Sequence, residues 1–96
     1  MPTFIKTPSE IYDYGFDWDD GAPDALESAE IISTSNWDLG GLTQDSADEV
    51  NSAKTETKCW LTGGEVDTDY TITNTIETDQ GRTLQRSHII KIVEAR

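Results

Sequence analysis

Polar and apolar positions alternate most regularly toward the end of the chain. Over residues 69–78, Tyr70, Ile72, Asn74, Ile76 and Thr78 share one parity, and Thr71, Thr73, Thr75 and Glu77 share the other. This is the period-two pattern of a strand filled with β-branched side chains. Asp79-Gln80-Gly81-Arg82 has turn composition, with Gly81 free to take positive φ. Residues 83–93 then alternate through Leu84, Arg86, His88, Ile90 and Ile92, so the two segments predict a long antiparallel hairpin. Upstream, residues 58–62 read as a short strand ended by Gly63-Gly64, with Trp60 expected on the core face and Cys59 on the other.

The first half is less regular. Residues 11–18 put Tyr12, Tyr14, Phe16 and Trp18 on one face and Asp13, Gly15 and Asp17 on the other. Residues 29–39 carry Ile31-Ile32-Ser33-Thr34 and Trp37 before the Gly40-Gly41 turn. Between them residues 19–28 have loop composition, with a single helical turn conceivable over 23–29. Residues 42–57 are polar and carry two weak strand signals, at 42–46 and 50–55. Six or seven short strands without an amphipathic helical stripe predict an all-β chain. The expected architecture is a single immunoglobulin-like antiparallel β-sandwich with Greek-key connections over residues 11–96, preceded by an arm at residues 1–10. Its expected core is Tyr14 or Phe16, Ile31, Trp37, Trp60, Tyr70, Ile72, Ile76, Ile90 and Ile92, with Trp60 and Tyr70 buried. Tyr70 also sits where such sandwiches place a corner tyrosine.

Composition narrows the function more than the fold. The 96 residues suffice for one domain, and with 34% hydrophobic residues the core must draw on its aromatics. The formal charge is −12, and it is uneven: residues 1–50 hold twelve acids against Lys6, whereas residues 51–96 hold seven acids against six bases. Sequence-independent binding to nucleic acid or to an anionic membrane needs clustered cations, so neither is expected as a partner, and a basic protein surface suits the charge better. Cys59 alone leaves no intrachain disulfide, which fits a reducing compartment. No apolar run reaches the length of a membrane span or a signal peptide, and a soluble, unprocessed protein is expected.

Candidate chemistry is sparse. His88 and Cys59 are the only histidine and thiol, and the strand assignments put them on different strands. A packed cysteine and a sheet-facing histidine are therefore expected in place of a nucleophile and base. The cluster Asp17, Asp19, Asp20, Asp24 and Glu27 suggests calcium, but aligning Gly21 with the glycine of an EF-hand loop drops Phe16 and Trp18 onto ligand positions. A solvated acidic loop is the expectation, with no metal and no cofactor. Gly63-Gly64 is followed by Glu65 and Asp67, which repel phosphate. The same five acids, Asp17, Asp19, Asp20, Asp24 and Glu27, are the candidate partner-binding surface.

Several of these segments, in this order, resemble a family of small tailed-bacteriophage virion proteins described as fibre-tail adaptor or minor structural proteins. The residues concerned are Asp13-Tyr14-Gly15-Phe16-Asp17-Trp18, the stretch from Ile31 to Trp37, Leu61-Thr62-Gly63-Gly64, residues 70–76, Gly81-Arg82-Thr83 and residues 86–92. The very acidic loop after Trp18 departs from that pattern. The resemblance implies a non-enzymatic structural protein of the virion, assembled in the host bacterial cytoplasm. It implies other neck, tail or fibre proteins as partners, contacted in multiple copies around a ring. A capsid decoration protein is the nearest alternative. Two others belong to different classes: an acidic DNA mimic, and a carbohydrate-binding module that would need Trp18 or Trp37 exposed as a stacking platform.

Overall fold

The structure is a computed structural model that describes residues 3–21, 25–27 and 29–94. Its strands are β1 (Thr3–Lys6), β2 (Tyr12–Asp17), β3 (Ile32–Asp38), β4 (Thr43–Gln44), β5 (Glu49–Val50), β6 (Glu56–Thr62), β7 (Asp69–Thr78) and β8 (Thr83–Ile92). They form two four-stranded sheets. One has the order β1-β8-β7-β3; in the other β2 lies beside β6, and the two-residue strands β4 and β5 both pair with β6. The all-β sandwich expected from the alternation is thus the observed fold. The β7–β8 hairpin is the longest pairing, in register from Asp69↔Lys91 to Glu77↔Thr83. The expected strands at 42–46 and 50–55 shrink to β4 and β5, shifted to the stretches that meet β6. Residues 22–24 and 28, within the stretch considered for a helical turn, lie outside the described residues.

Within the first ten residues, expected as an arm, Thr3–Lys6 forms β1 and pairs with the end of β8. This pairing is parallel, unlike the antiparallel ladders elsewhere, and runs from Thr3↔Ile89 to Lys6↔Ile92. Lys6 is fully buried where β1 ends. Its ammonium donates to the carbonyls of Thr7 at 2.8 Å and Gly63 at 2.7 Å, as a buried cation requires. Desolvation nevertheless lowers its pKa, an effect partly offset by Glu10.

The core lies between the sheets in two clusters. Tyr14, Leu42, Cys59, Leu61, Ile72, Ile90 and Ile92 form one, and Phe16, Trp18, Leu26, Ile32 and Ile76 form the other, with half-buried Trp37 packed against both. Tyr14, Phe16, Ile72, Ile76, Ile90 and Ile92 are where alternation puts them. Three expectations fail. Cys59, flanked by the buried Thr57 and Leu61, faces the core, so Trp60 points to the outer face, half-buried, its Nε1 donating to Glu49 at 3.0 Å. Ile31 is exposed and Ile32 is buried at 2% exposure, next to a register shift in β3 between Ile32 and Thr34. Tyr70 is only half-buried; it packs on the first cluster while its hydroxyl accepts the N–H of Glu65 at 3.0 Å.

Gly15 marks a close approach between β2 and β6. A Cβ at this position would lie 2.1 Å from the Thr57 carbonyl oxygen, a backbone atom that cannot rotate away.

Burial sets the expected cost of truncation. Ile72→Ala should lower unfolding free energy by about 2–5 kcal/mol in chemical denaturation, the usual loss for a buried aliphatic chain. Trp60→Ala, a larger deletion from the outer face, should cost less than Ile72→Ala. A greater loss at Trp60 would mean that the faces of β6 are reversed.

Candidate functional site

Trp18 follows β2 directly and is completely buried. Its Nε1 donates to Asn74 Oδ1 at 3.1 Å and Thr57 Oγ1 at 3.2 Å. Its ring is covered by the Arg86 guanidinium, 4.6 Å from the ring centroid. From there Arg86 Nη1 donates to the carbonyl of Asp17 at 3.0 Å, and the fork grips both carboxylate oxygens of Asp20 at 3.0 and 3.1 Å. A planar guanidinium suits such a bidentate contact. The start of the acidic loop is thereby tied to β8.

A second arginine ties down the far end of the loop. Glu30, with its side chain 1% exposed, accepts hydrogen bonds from both Nε and Nη2 of Arg82 and from Thr78 Oγ1 at 2.6 Å. Arg82 Nη2 also donates to the carbonyl of Ala25 at 2.9 Å, and Glu30 Oε1 accepts the N–H of Glu27 at 2.8 Å. Hydrogen bonds from Arg82 and Thr78 hold the Glu30 carboxyl at a pKa of about 2, against the opposing effect of burial.

The predicted partner-binding acids fall on this frame as follows. Asp17 and Asp19 are exposed at the start of the loop, where Asp17 Oδ1 accepts the N–H of Asp19 at 3.0 Å. Asp20 stands beside them, paired with Arg86. Glu27 is exposed at the far end, near Arg82. Asp24 lies outside the described residues. Sequence reasoning missed Glu30, Arg82 and Arg86 as the residues that hold the loop. One signal was available: Arg86 shares the parity of Leu84, His88 and Ile90, and a cation on the inward side of a strand needs an acid or an aromatic face.

His88 and Cys59 have structural surroundings. Cys59 is fully buried, and desolvation pushes its thiol up to about 11. His88 Nε2 faces the Gly15 carbonyl at 3.0 Å while its ring stacks on Phe16 at 4.0 Å. Burial lowers the pKa of this histidine, partly countered by the Gly15 bond. The stacking platform required of a carbohydrate-binding module is not available at Trp18, which is fully buried, and Trp37 is half-buried against Phe16. Among the described residues no three His, Cys, Asp or Glu side chains converge into a possible metal site, and no helix is long and apolar enough to cross a membrane.

The Glu30 contact carries a pH dependence. A carboxyl that titrates near 2 when folded and near 4.5 when unfolded stabilises the fold fully above about pH 4.5 and loses that contribution as the pH falls toward 2. Glu30→Gln should lower stability at neutral pH and flatten its dependence over that acid window, measured by denaturation at a series of pH values. Wild type and variant falling in parallel would show that the contact is not linked to protonation.

No curated protein matches the chain. A family model does: that of the podophage GP4 fiber-tail adaptor protein gp77, over residues 6–91. The match takes in β2 to β7 entirely, nearly all of β8, and both arginine anchors of the loop. Fold, ordered strands and family model agree with the resemblance carried by the aromatic β2 segment and the closing hairpin, and the chain belongs to the phage fibre-tail adaptor family.

Proposed function

We propose that the protein is a non-enzymatic structural adaptor of the virion, set between tail and fibre components in multiple copies, and that it docks on a basic surface through its acidic loop. The observation that carries this reading is the anchoring of the loop at both ends by Arg86 and Arg82. With its described ends fixed by these arginines, the loop presents Asp17, Asp19 and Glu27 at a lower ordering cost than freely moving ends would meet on binding. The net charge of −12 adds long-range attraction to a cationic partner. Repetition around a ring would multiply weak contacts, so a large interface per copy is unnecessary. Assembly would take place in the host cytoplasm, and the fibre-tail family favours the tail over the capsid surface.

The immunoglobulin-like reading of the sandwich belongs to the same proposal. The order β2-β6-β4 facing β3-β7-β8 parallels the B-E-D and C-F-G strands of that fold, and the Tyr70 hydroxyl bonded to Glu65 is placed as a corner tyrosine is.

The test uses exposed acids that form no salt bridge among the described residues. Asp19→Asn with Glu27→Gln removes two charges while keeping shape. This variant should join particles assembled without the protein more slowly than wild type, with little change in its rate of loss, and the difference should shrink as salt rises. Wild-type incorporation that is flat across the salt range and equalled by a folded variant would remove the docking role from the loop. Absence of the chain from purified virions would remove the adaptor role itself.

A further inference from the structure

β1 covers only one end of β8. Their pairing begins at Thr3↔Ile89 and runs toward Lys6↔Ile92, so the half of β8 nearer the turn has β7 on one side and, among the described residues, no strand on the other. The outward groups on that edge can be identified. Arg82 accepts from Thr78 and Ile92 donates to Thr68, both toward the β7 side. Ladder alternation then turns the N–H and C=O of Thr83 and Gln85 away from β7. Gln85 lies four positions beyond Ile89, where β1 begins its pairing.

This edge forms one wall of a groove of about 480 Å³ whose other wall is the second half of β2, lined by Gly15, Phe16, Asp17, Asp20, Gln85 and Arg86 among others. His88 and Arg86 reach across its floor to the Gly15 and Asp17 carbonyls, which caps that stretch of β2. The β8 edge therefore has main-chain donors and acceptors both open to a new strand, whereas the facing β2 edge has its Gly15 and Asp17 carbonyls already taken. His88 also lines the groove, and its Nδ1 is buried without a hydrogen-bond partner.

We propose that the Thr83–Gln85 edge of β8 accepts an extended, lysine- or arginine-bearing segment of a partner virion protein, which adds to the sheet as a strand. The inference rests on the adaptor reading above and specifies how the partner is gripped. Main-chain pairing supplies affinity in strand addition, and alternate side chains supply selectivity. Charge selects the occupant: Asp17 and Asp20 line the groove, Asp19 is exposed beside it, and of these acids only Asp20 belongs to a salt bridge among the described residues. A second copy of this chain is a poor occupant, because each copy brings a charge of −12.

Gln85 separates main-chain recognition from side-chain recognition. Proline is tolerated on a strand edge where its missing N–H would face outward, so Gln85→Pro should fold, while Gln85→Ala keeps the outward N–H. Incorporation into particles assembled without the protein should fall by about tenfold or more for Gln85→Pro, the loss expected for one main-chain hydrogen bond and a steric block. Gln85→Ala should match wild type. Equal incorporation of all three overturns the edge as a site and leaves the adaptor reading intact. Loss with Gln85→Ala alone or with both variants assigns the contact to the side chain and also overturns strand addition. If Gln85→Pro fails to fold, amide exchange of the wild-type protein decides. Slowed exchange at Gln85 in the particle-bound state supports the proposal, and unchanged exchange overturns it. A synthetic peptide of about eight residues alternating lysine and valine, compared with its glutamate counterpart, tests the charge. Only the lysine peptide should shift the Gln85 amide resonance; equal shifts, or none with either peptide, overturn the basic occupant.

Discussion

The two sheets are held in one relative position by a buried amide. Asn74 stands between Ile72 and Ile76 on β7, fully buried, where an unsatisfied amide would be costly. Its Oδ1 accepts from Trp18 Nε1 at 3.1 Å and Thr57 Oγ1 at 2.7 Å, and its Nδ2 donates to Ser35 Oγ at 2.9 Å and the Asn36 carbonyl at 3.0 Å. The four contacts use the full capacity of the side chain and join β7 to β3 within one sheet and to β6 and the end of β2 in the other. Apolar packing is non-directional and tolerates sliding, whereas this network is satisfied only in one alignment. Removing any member leaves at least one buried donor or acceptor position of Asn74 unfilled.

The start of the acidic loop inherits its position from that network. Trp18, fixed by Asn74, offers its ring to Arg86, and Arg86 in turn holds the Asp17 carbonyl and Asp20. At the far end Arg82, in the turn of the β7–β8 hairpin, holds Glu30 and the Ala25 carbonyl. The hairpin thus supplies both cations that organise the most acidic part of the chain. Exposed salt bridges contribute little, but Glu30 is buried, and Arg86 is backed by an aromatic face. These arginines neutralise the anchoring acids and leave Asp17, Asp19 and Glu27 outward, which concentrates the negative field at the loop.

The parts of this arrangement that were legible in the sequence are those where one parity is apolar over many residues. The β7–β8 hairpin reads directly from its alternation, and so does the β2 face of Tyr14, Phe16 and Trp18. β6 was misread because residue size suggested Trp60 for the core, whereas Thr57, Cys59 and Leu61 together determine the inward parity. β1 escaped because four residues are too few to show a period, and its pattern is inverted: Phe4 and Ile5 are exposed while Lys6 is buried. The acidic loop was legible as a cluster of charges, but its anchors were not, since Arg82 and Arg86 lie about sixty residues away in sequence. Contacts of that separation are products of topology, and local pattern does not encode them.

The parallel pairing of β1 with β8 has a mechanical consequence. Chain enters the pair at Thr3 and leaves it after Ile92, at opposite ends of the shared ladder, with Val93 N–H bonded to the Lys6 carbonyl at 2.9 Å. Tension between residues 3 and 93 is directed along these strands, so the bonds joining them are loaded together in shear. A hairpin pulled open from its free ends instead yields one bond at a time. The short parallel ladder therefore lies along the line of any pull applied through these two ends.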